Sequence, residues 1–262
     1  MRFFKKPYLI IITLILSLAA YNCSTSTSSN SGDSDTDPPP KEFNSQAQPG
    51  DSAASYLQSD QYTSLQIEID YMQGYEPTQE ALNSLETFLQ NRLNKSSITF
   101  NISEIPARNE GPYSTSDIDQ IEDEVRDNYT EAGSNTLHAH FLIVDGEFEQ
   151  SNVLGIAYWN TSMALFGEAI ASISDNPPVT PSRQQVEGTV FRHEVGHNLG
   201  LVGIGSPHPS GQQSHQDGSH CTVDGCLIQA SVRTGDIFQN FSGEVPELDA
   251  LCIEDLQANG GK

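Results

Sequence analysis

Eight consecutive residues, His193-Glu194-Val195-Gly196-His197-Asn198-Leu199-Gly200, contain the parts of a metal-assisted hydrolytic site. On a helix, side chains four positions apart leave the same face, so the imidazoles of His193 and His197 can share one metal ion. Glu194 lies beside them, within reach of a metal-bound water, and can act on it as general base. The bland alternative is an exposed helix whose histidines bind nothing. Catalytic zinc normally has three protein ligands and one open position, so a third ligand must come from elsewhere in the chain.

The helix carrying these residues is expected to begin at Ser182, which forms a Ser-x-x-Gln capping box with Gln185. Phe191, Val195 and Leu199 form an apolar stripe at four-residue steps, which predicts one side packed under a sheet and the histidines on a cleft. Gly200 can take positive φ where the chain must leave the helix. Upstream, alternating apolar residues predict strands over 63–72 and 97–105. A strongly apolar run over 136–145 reads as a central strand, and 153–159 with 162–166 as one or two edge strands. Helical periodicity follows Pro77, with Leu82, Leu85, Phe88, Leu89 and Leu93 on one face, and recurs over 116–129. The segment 170–173 is ambiguous. Strand and helix alternation argues for one α/β domain with a mostly parallel sheet.

The candidates for the third ligand are His208, His215 and His220. His138 and His140 share a strand face and can in principle bind metal as a pair, although ordinary sheet histidines near the cleft are the simpler reading. A glutamate from the C-terminal helical stretch, Glu247 or Glu254, is a further alternative.

Through His193, Glu194, His197 and Gly200 the chain resembles the metzincin peptidases, whose motif is H-E-x-x-H-x-x-G-x-x-H. Gly203 stands where that pattern has its third histidine. In archaemetzincins the third histidine is followed at once by a cysteine, four residues, a second cysteine, one residue and a methionine. His220-Cys221-Thr-Val-Asp-Gly-Cys226-Leu227-Ile228 has this spacing, with Ile228 in the methionine position and His220 lying 17 positions beyond Gly203. Leishmanolysin-type metzincins carry an insertion at the same place. The chain therefore resembles an archaemetzincin-related exported peptidase.

The resemblance implies a metzincin-like zincin domain: a twisted, mostly parallel sheet with an antiparallel edge strand, an active-site helix and a C-terminal helix. It implies Zn²⁺ on His193, His197 and His220, Glu194 as catalytic base, and a peptide or protein substrate. The rival is a non-catalytic surface lipoprotein, a pseudo-peptidase or binding module that keeps the helix. No tyrosine follows Tyr158, so transition-state charge must be met by zinc and by backbone donors near 157–166.

The remaining features bound location and partners. Arg2, Lys5 and Lys6 precede a short apolar run, which reads as a signal peptide over 1–22. Cys23, followed by a Ser/Thr/Asp tract, resembles a bacterial lipoprotein acceptor, although Asn22 precedes it where a small residue is usual. Ordinary cleavage and secretion is the alternative, so the expected location is the cell envelope or the medium. Residues 23–50 are expected to be a disordered tether, with the peptidase domain over 51–262. Asp33, Asp35 and Asp37 alternate within it but lack the glycine and glutamate of a calcium loop. The net charge of −23 becomes about −26 without residues 1–22, which disfavours a nucleic-acid partner. A monomer is expected, touching membrane only through Cys23. Cys221 and Cys226 flank a turn and can form a local disulfide after export, or Cys252 can pair with either. A second metal site from these cysteines is disfavoured in an oxidising compartment.

Overall fold

The computed structural model describes residues 42–174, 181–201, 216–238 and 245–262. The expected signal peptide, Cys23, and the third-ligand candidates His208 and His215 lie outside these residues. The described elements are α1 (Ala53–Leu57), β1 (Ser64–Met72), α2 (Gln79–Arg92), β2 (Ser97–Ile105), α3 (Thr115–Val125), β3 (Thr136–Val144), β4 (Gly155–Trp159), β5 (Ser162–Phe166), α4 (Gly167–Ser174), α5 (Arg183–Asn198), β6 (Gln216–Asp217), β7 (His220–Cys221), α6 (Ala230–Arg233) and α7 (Ala250–Ala258).

The main sheet has the order β2-β1-β3-β5-β4. All its pairings are parallel except β4 with β5, so it is mostly parallel with one antiparallel edge strand. The alternation of side chains along β3 sends Phe141 to one face and His140 to the other. Phe141 meets Phe191 of α5 edge-on, ring centroids 4.9 Å apart. His140 instead meets Glu122 of α3. The sheet is thus covered on both faces, as a parallel sheet requires, and α5 lies on one face with α3 on the other.

Local chemistry sets the helix starts. Ser114 and Asp117 form a capping box at α3, and Ser182 with Gln185 does the same at α5. Thr78 caps α2, accepting from Ala81 N, while its own N–H and hydroxyl donate to Glu187 Oε2 of α5 at 2.9 and 2.8 Å. One residue therefore stops a helix from fraying and ties two helices together.

The structure departs from several expectations. The segment 170–173 belongs to a helix. The α3 helix ends at Val125, and the next residue, Arg126, turns its guanidinium into the protein to reach Glu122 Oε1 at 2.7 Å. Residues 42–50, at the end of the expected tether, pack on the domain. Phe43 meets Tyr62 edge-on, Asn160 N donates to Ala47 O at 2.9 Å, and Asn160 Nδ2 donates to Asn44 O at 3.0 Å. The α5 helix packs Phe191 under the sheet and turns Glu194 and His197 toward a cleft, as expected, but the cleft side is not open. Every residue from Val186 to Asn198 is buried, because β4, α2 and residues near Leu227 and Pro246 close around the helix.

Candidate metal centre

His193, Glu194 and His197 sit in the last turns of α5, just before Gly200 takes φ of 82° and turns the chain away. The segment that follows the undescribed stretch returns to the helix. Strands β6 and β7 form a short antiparallel hairpin that presents His220. Cys221 N donates to Ile228 O and Leu227 N to Glu247 O, each at 2.8 Å, which closes a loop over the helix. Ile228, in the expected methionine position, is fully buried and lies directly against Gly196. A Cβ at Gly196 would meet Ile228 Cδ1 at 2.5 Å, so this contact requires glycine between the two histidines.

Three imidazoles meet at this point. The nearest ligand atoms of His193, His197 and His220 lie within 4.8 Å of one another. Nε2 of His193 and Nε2 of His197 face each other at 3.2 Å. Two nitrogens on one tetrahedral zinc, each about 2.0–2.1 Å from it, are separated by roughly 3.3 Å. His193 Nδ1 lies 2.7 Å from Leu227 O. A carbonyl can only accept, so Nδ1 carries the proton and Nε2 presents a lone pair to the shared point. Burial pushes His193 down to about 3, and the nearby His220 and Arg233 charges add to this. Burial likewise holds His197 well below its ordinary value, helped by the same neighbours and by His193. Both rings are therefore neutral, as metal ligation requires.

Glu194 is 1% exposed. Burial raises its carboxyl to about 8, opposed by Arg233 and by a hydrogen bond from the Ala157 backbone. Its Oε1 is buried without a hydrogen-bond partner among the described residues. An unpaired buried carboxyl oxygen beside three imidazoles fits a site built for a cation and a water. The cleft over it, a cavity of about 210 Å³, is lined by Pro49, Ile156, Ala157, Glu194, His197, Ser219, His220 and Arg233.

Strand β4 brings the Ala157 donor close because of Gly155. A Cβ there would lie 2.7 Å from Val190 Cγ1 and 2.8 Å from Glu194 Oε1. Beyond Ala157 the β4–β5 register shifts, and this bulge re-aims the strand as it leaves the cleft. Gly155→Ala is therefore expected to destabilise the fold by about 1–3 kcal/mol. Denaturant unfolding checks this, and wild-type stability in the variant would refute it.

Other candidates lie elsewhere. His138 and His140 are not near the cleft but on the α3 face, where His140 Nε2 is 3.0 Å from Asp70 Oδ2. Glu68, Asp70 and His140 form a second close group of donors, but its members are already engaged. Glu68 accepts from Asp127 N, Asn128 N and Asn128 Nδ2, and His140 sits between Asp70 and Glu122. Glu247 pairs with Arg192 and does not join the three histidines, and neither does Glu254. Cys221, Cys226 and Cys252 are free thiols rather than a disulfide between the first two. They converge with Asp249, all four donors within 4.8 Å, with Cys226 Sγ and Cys252 Sγ 3.8 Å apart. Three thiols and a carboxylate are a donor set suited to zinc. Asp249, Gly155 and Arg233 escaped the sequence reading. A glycine inside a strand pattern was the only signal for Gly155, and nothing local marked the other two.

No curated protein matches the chain. Among solved structures, archaemetzincin from Methanopyrus kandleri is similar over 75% of this chain and 96% of that chain, at 15% sequence identity and a TM-score of 0.45. Residues 78–202, from the cap of α2 to just past Gly200, match the family model described as "Metallo-peptidase family M12B Reprolysin-like", a span just under half of the chain that holds His193, Glu194 and His197 and stops short of His220.

Proposed function

We propose that this protein is a zinc-dependent peptidase of metzincin type. The observation that carries the reading is the facing pair of His193 and His197 Nε2 atoms with His220 beside them and an unpaired, buried Glu194 oxygen at the same point. The match of residues 78–202 to reprolysin-like metallopeptidases supports the same class. His193, His197 and His220 would hold the metal, and a zinc ion bound there would supply Lewis acidity toward the scissile carbonyl and the attacking water. Glu194 takes the proton from that water through Oε1 and delivers it to the leaving amine. Leu227 O keeps His193 in the ligating tautomer, and the Ala157 N–H holds the Glu194 carboxylate in place.

Zinc content and hydrolysis test the reading together. His197→Gln should hold one zinc per chain fewer than the wild type, and the wild type should cleave an unbiased peptide mixture in a chelator-sensitive manner. A folded wild type with the same zinc content as His197→Gln, and with no chelator-sensitive cleavage, overturns the proposal in favour of a non-catalytic protein.

A further inference from the structure

Arg233 shares the cleft with Glu194, His197 and His220. Its main chain is clamped at three points. Its carbonyl accepts from Leu154 N at 2.8 Å, just ahead of β4, and the preceding Val232 is fully buried. After it, Gly235 takes φ of 71° in a turn so tight against α4 that a Cβ would meet Ile173 Cδ1 at 2.3 Å. The guanidinium is thus delivered to the cleft by a rigid backbone, and only side-chain freedom remains to be lost on binding a ligand.

The guanidinium forms no ion pair among the described residues; the enclosed Glu194 carboxyl shares its cleft and feels its charge. Arg108, Arg126, Arg183 and Arg192 are paired with Glu124, Glu122, Glu187 and Glu247. Arg233, like Arg92 outside the cleft, has no ion pair among the described residues, in a chain with 35 acidic and 12 basic residues. Carboxylates are abundant here, so a cleft arginine that is hydrogen-bonded to none of them is an available anion site rather than a structural tie. The overall negative field is screened beyond about 10 Å, and inside the cleft the nearest cation dominates. Guanidinium is a planar fork of donors that matches a carboxylate with two parallel hydrogen bonds.

We propose that Arg233 binds a carboxylate of the substrate close to the scissile bond, making acidic or C-terminal peptide segments the preferred substrates. This rests on the peptidase reading above. Arg233 lines the cleft together with Glu194, so the carboxylate it binds lies near the bond being cut. Two sources share this chemistry: a free C-terminus and an Asp or Glu side chain.

Paired peptides test it. One set differs only in a C-terminal acid against a carboxamide, the other only in Glu against Gln beside the scissile bond. The wild type should favour the carboxylate member of at least one set by about tenfold in kcat/KM, chiefly through KM; the set showing the effect identifies the source. Arg233→Met should bring that ratio close to one, and Arg233→Lys should keep part of it. Circular dichroism and Tm confirm that both variants fold. A wild-type ratio of one in both sets overturns the proposal, as does a ratio unchanged in Arg233→Met. A fall in kcat shared equally by acid and neutral members also overturns it, because that result places Arg233 on the transition state. If the wild type cleaves nothing, the peptidase reading fails separately. Calorimetric titration of wild type and Arg233→Met with the same acid and amide peptides then decides whether Arg233 binds a carboxylate.

Discussion

Glu194→Gln is expected to lower peptide hydrolysis by about 10²–10⁴-fold, the usual range for loss of a positioned acid–base group, while the protein keeps its zinc and its fold. The side chain is fully enclosed, so an isosteric amide leaves packing against Gly155 and Val190 intact. The amide oxygen can still accept from Ala157 N–H, which holds the side chain where the carboxylate was. Gln has no basic oxygen with which to take a proton from water and no proton to return to the amine. The effect should therefore appear in kcat, with KM nearly unchanged. Zinc analysis, Tm and steady-state kinetics on one preparation check this. Hydrolysis at the wild-type rate would remove Glu194 from the mechanism. Loss of zinc together with activity would instead make its role structural.

Arg126→Met should destabilise the protein by about 3–5 kcal/mol, because it strips the partner from a buried carboxylate, with a fall in Tm on the order of 10 °C. Arg126 donates to Glu122 Oε1 at 2.7 Å, to Thr161 and Ser162 hydroxyls, and to the carbonyls of Asn128 and His138. Glu122 also accepts from Tyr158 and Ser162 hydroxyls, at 2.7 Å each, and His140 bridges Glu122 and Asp70. All four charged groups are at most 6% exposed. Replacing both Glu122 and Arg126 by apolar residues should cost less than removing Arg126 alone, since no charge is then stranded. Equal losses in the single and double variants would refute the pairing.

The same network makes stability depend on pH from both sides. Burial works to raise Glu122, but the hydrogen bond and charge of His140, the Arg126 charge and the Tyr158 hydroxyl outweigh it and hold the carboxyl down from 4.5 to about 2. That stabilisation is complete above the unfolded value and is lost as pH falls from about 4.5 toward 2. Burial works to lower His140, but its bonds to Asp70 and Glu122 prevail and raise it above 6.5. That stabilisation is complete below about 6.5 and is lost as pH rises through the raised value. The contribution of this network to the unfolding free energy should thus be greatest between about pH 4.5 and 6.5. His140→Gln should flatten the alkaline limb, and an unfolding free energy independent of pH would contradict the assignment.

The strands and the helices α2 and α5 were legible because their signals are local. Period-two alternation marks 64–72, four-residue apolar spacing marks α2, and a capping box with a terminal glycine brackets α5. The α3 helix was read too long because Val125 and Tyr129 keep the helical spacing, while the pull that ends it comes from Glu122 and from Glu68, which binds Asp127 N and Asn128 N. The side of the sheet on which His140 lies was not legible. Alternation groups residues by face but does not say which helix covers each face.

The same division runs through the metal site. Residue type and spacing determined by themselves that His193, Glu194 and His197 share one end of a helix and that Gly200 ends it, because helix geometry and φ preference act within a few residues. Only the tertiary structure decided that His220, 27 positions beyond His193, joins them, that Arg233 faces the same cleft, and that Gly155 lets β4 reach Glu194. Those placements depend on hydrogen bonds and steric contacts between segments far apart in sequence, such as His193 with Leu227 O and Gly196 with Ile228; the His220-Cys221 to Cys226 spacing singled out His220 only through a family resemblance, and no local rule marked Arg233 or the approach of β4.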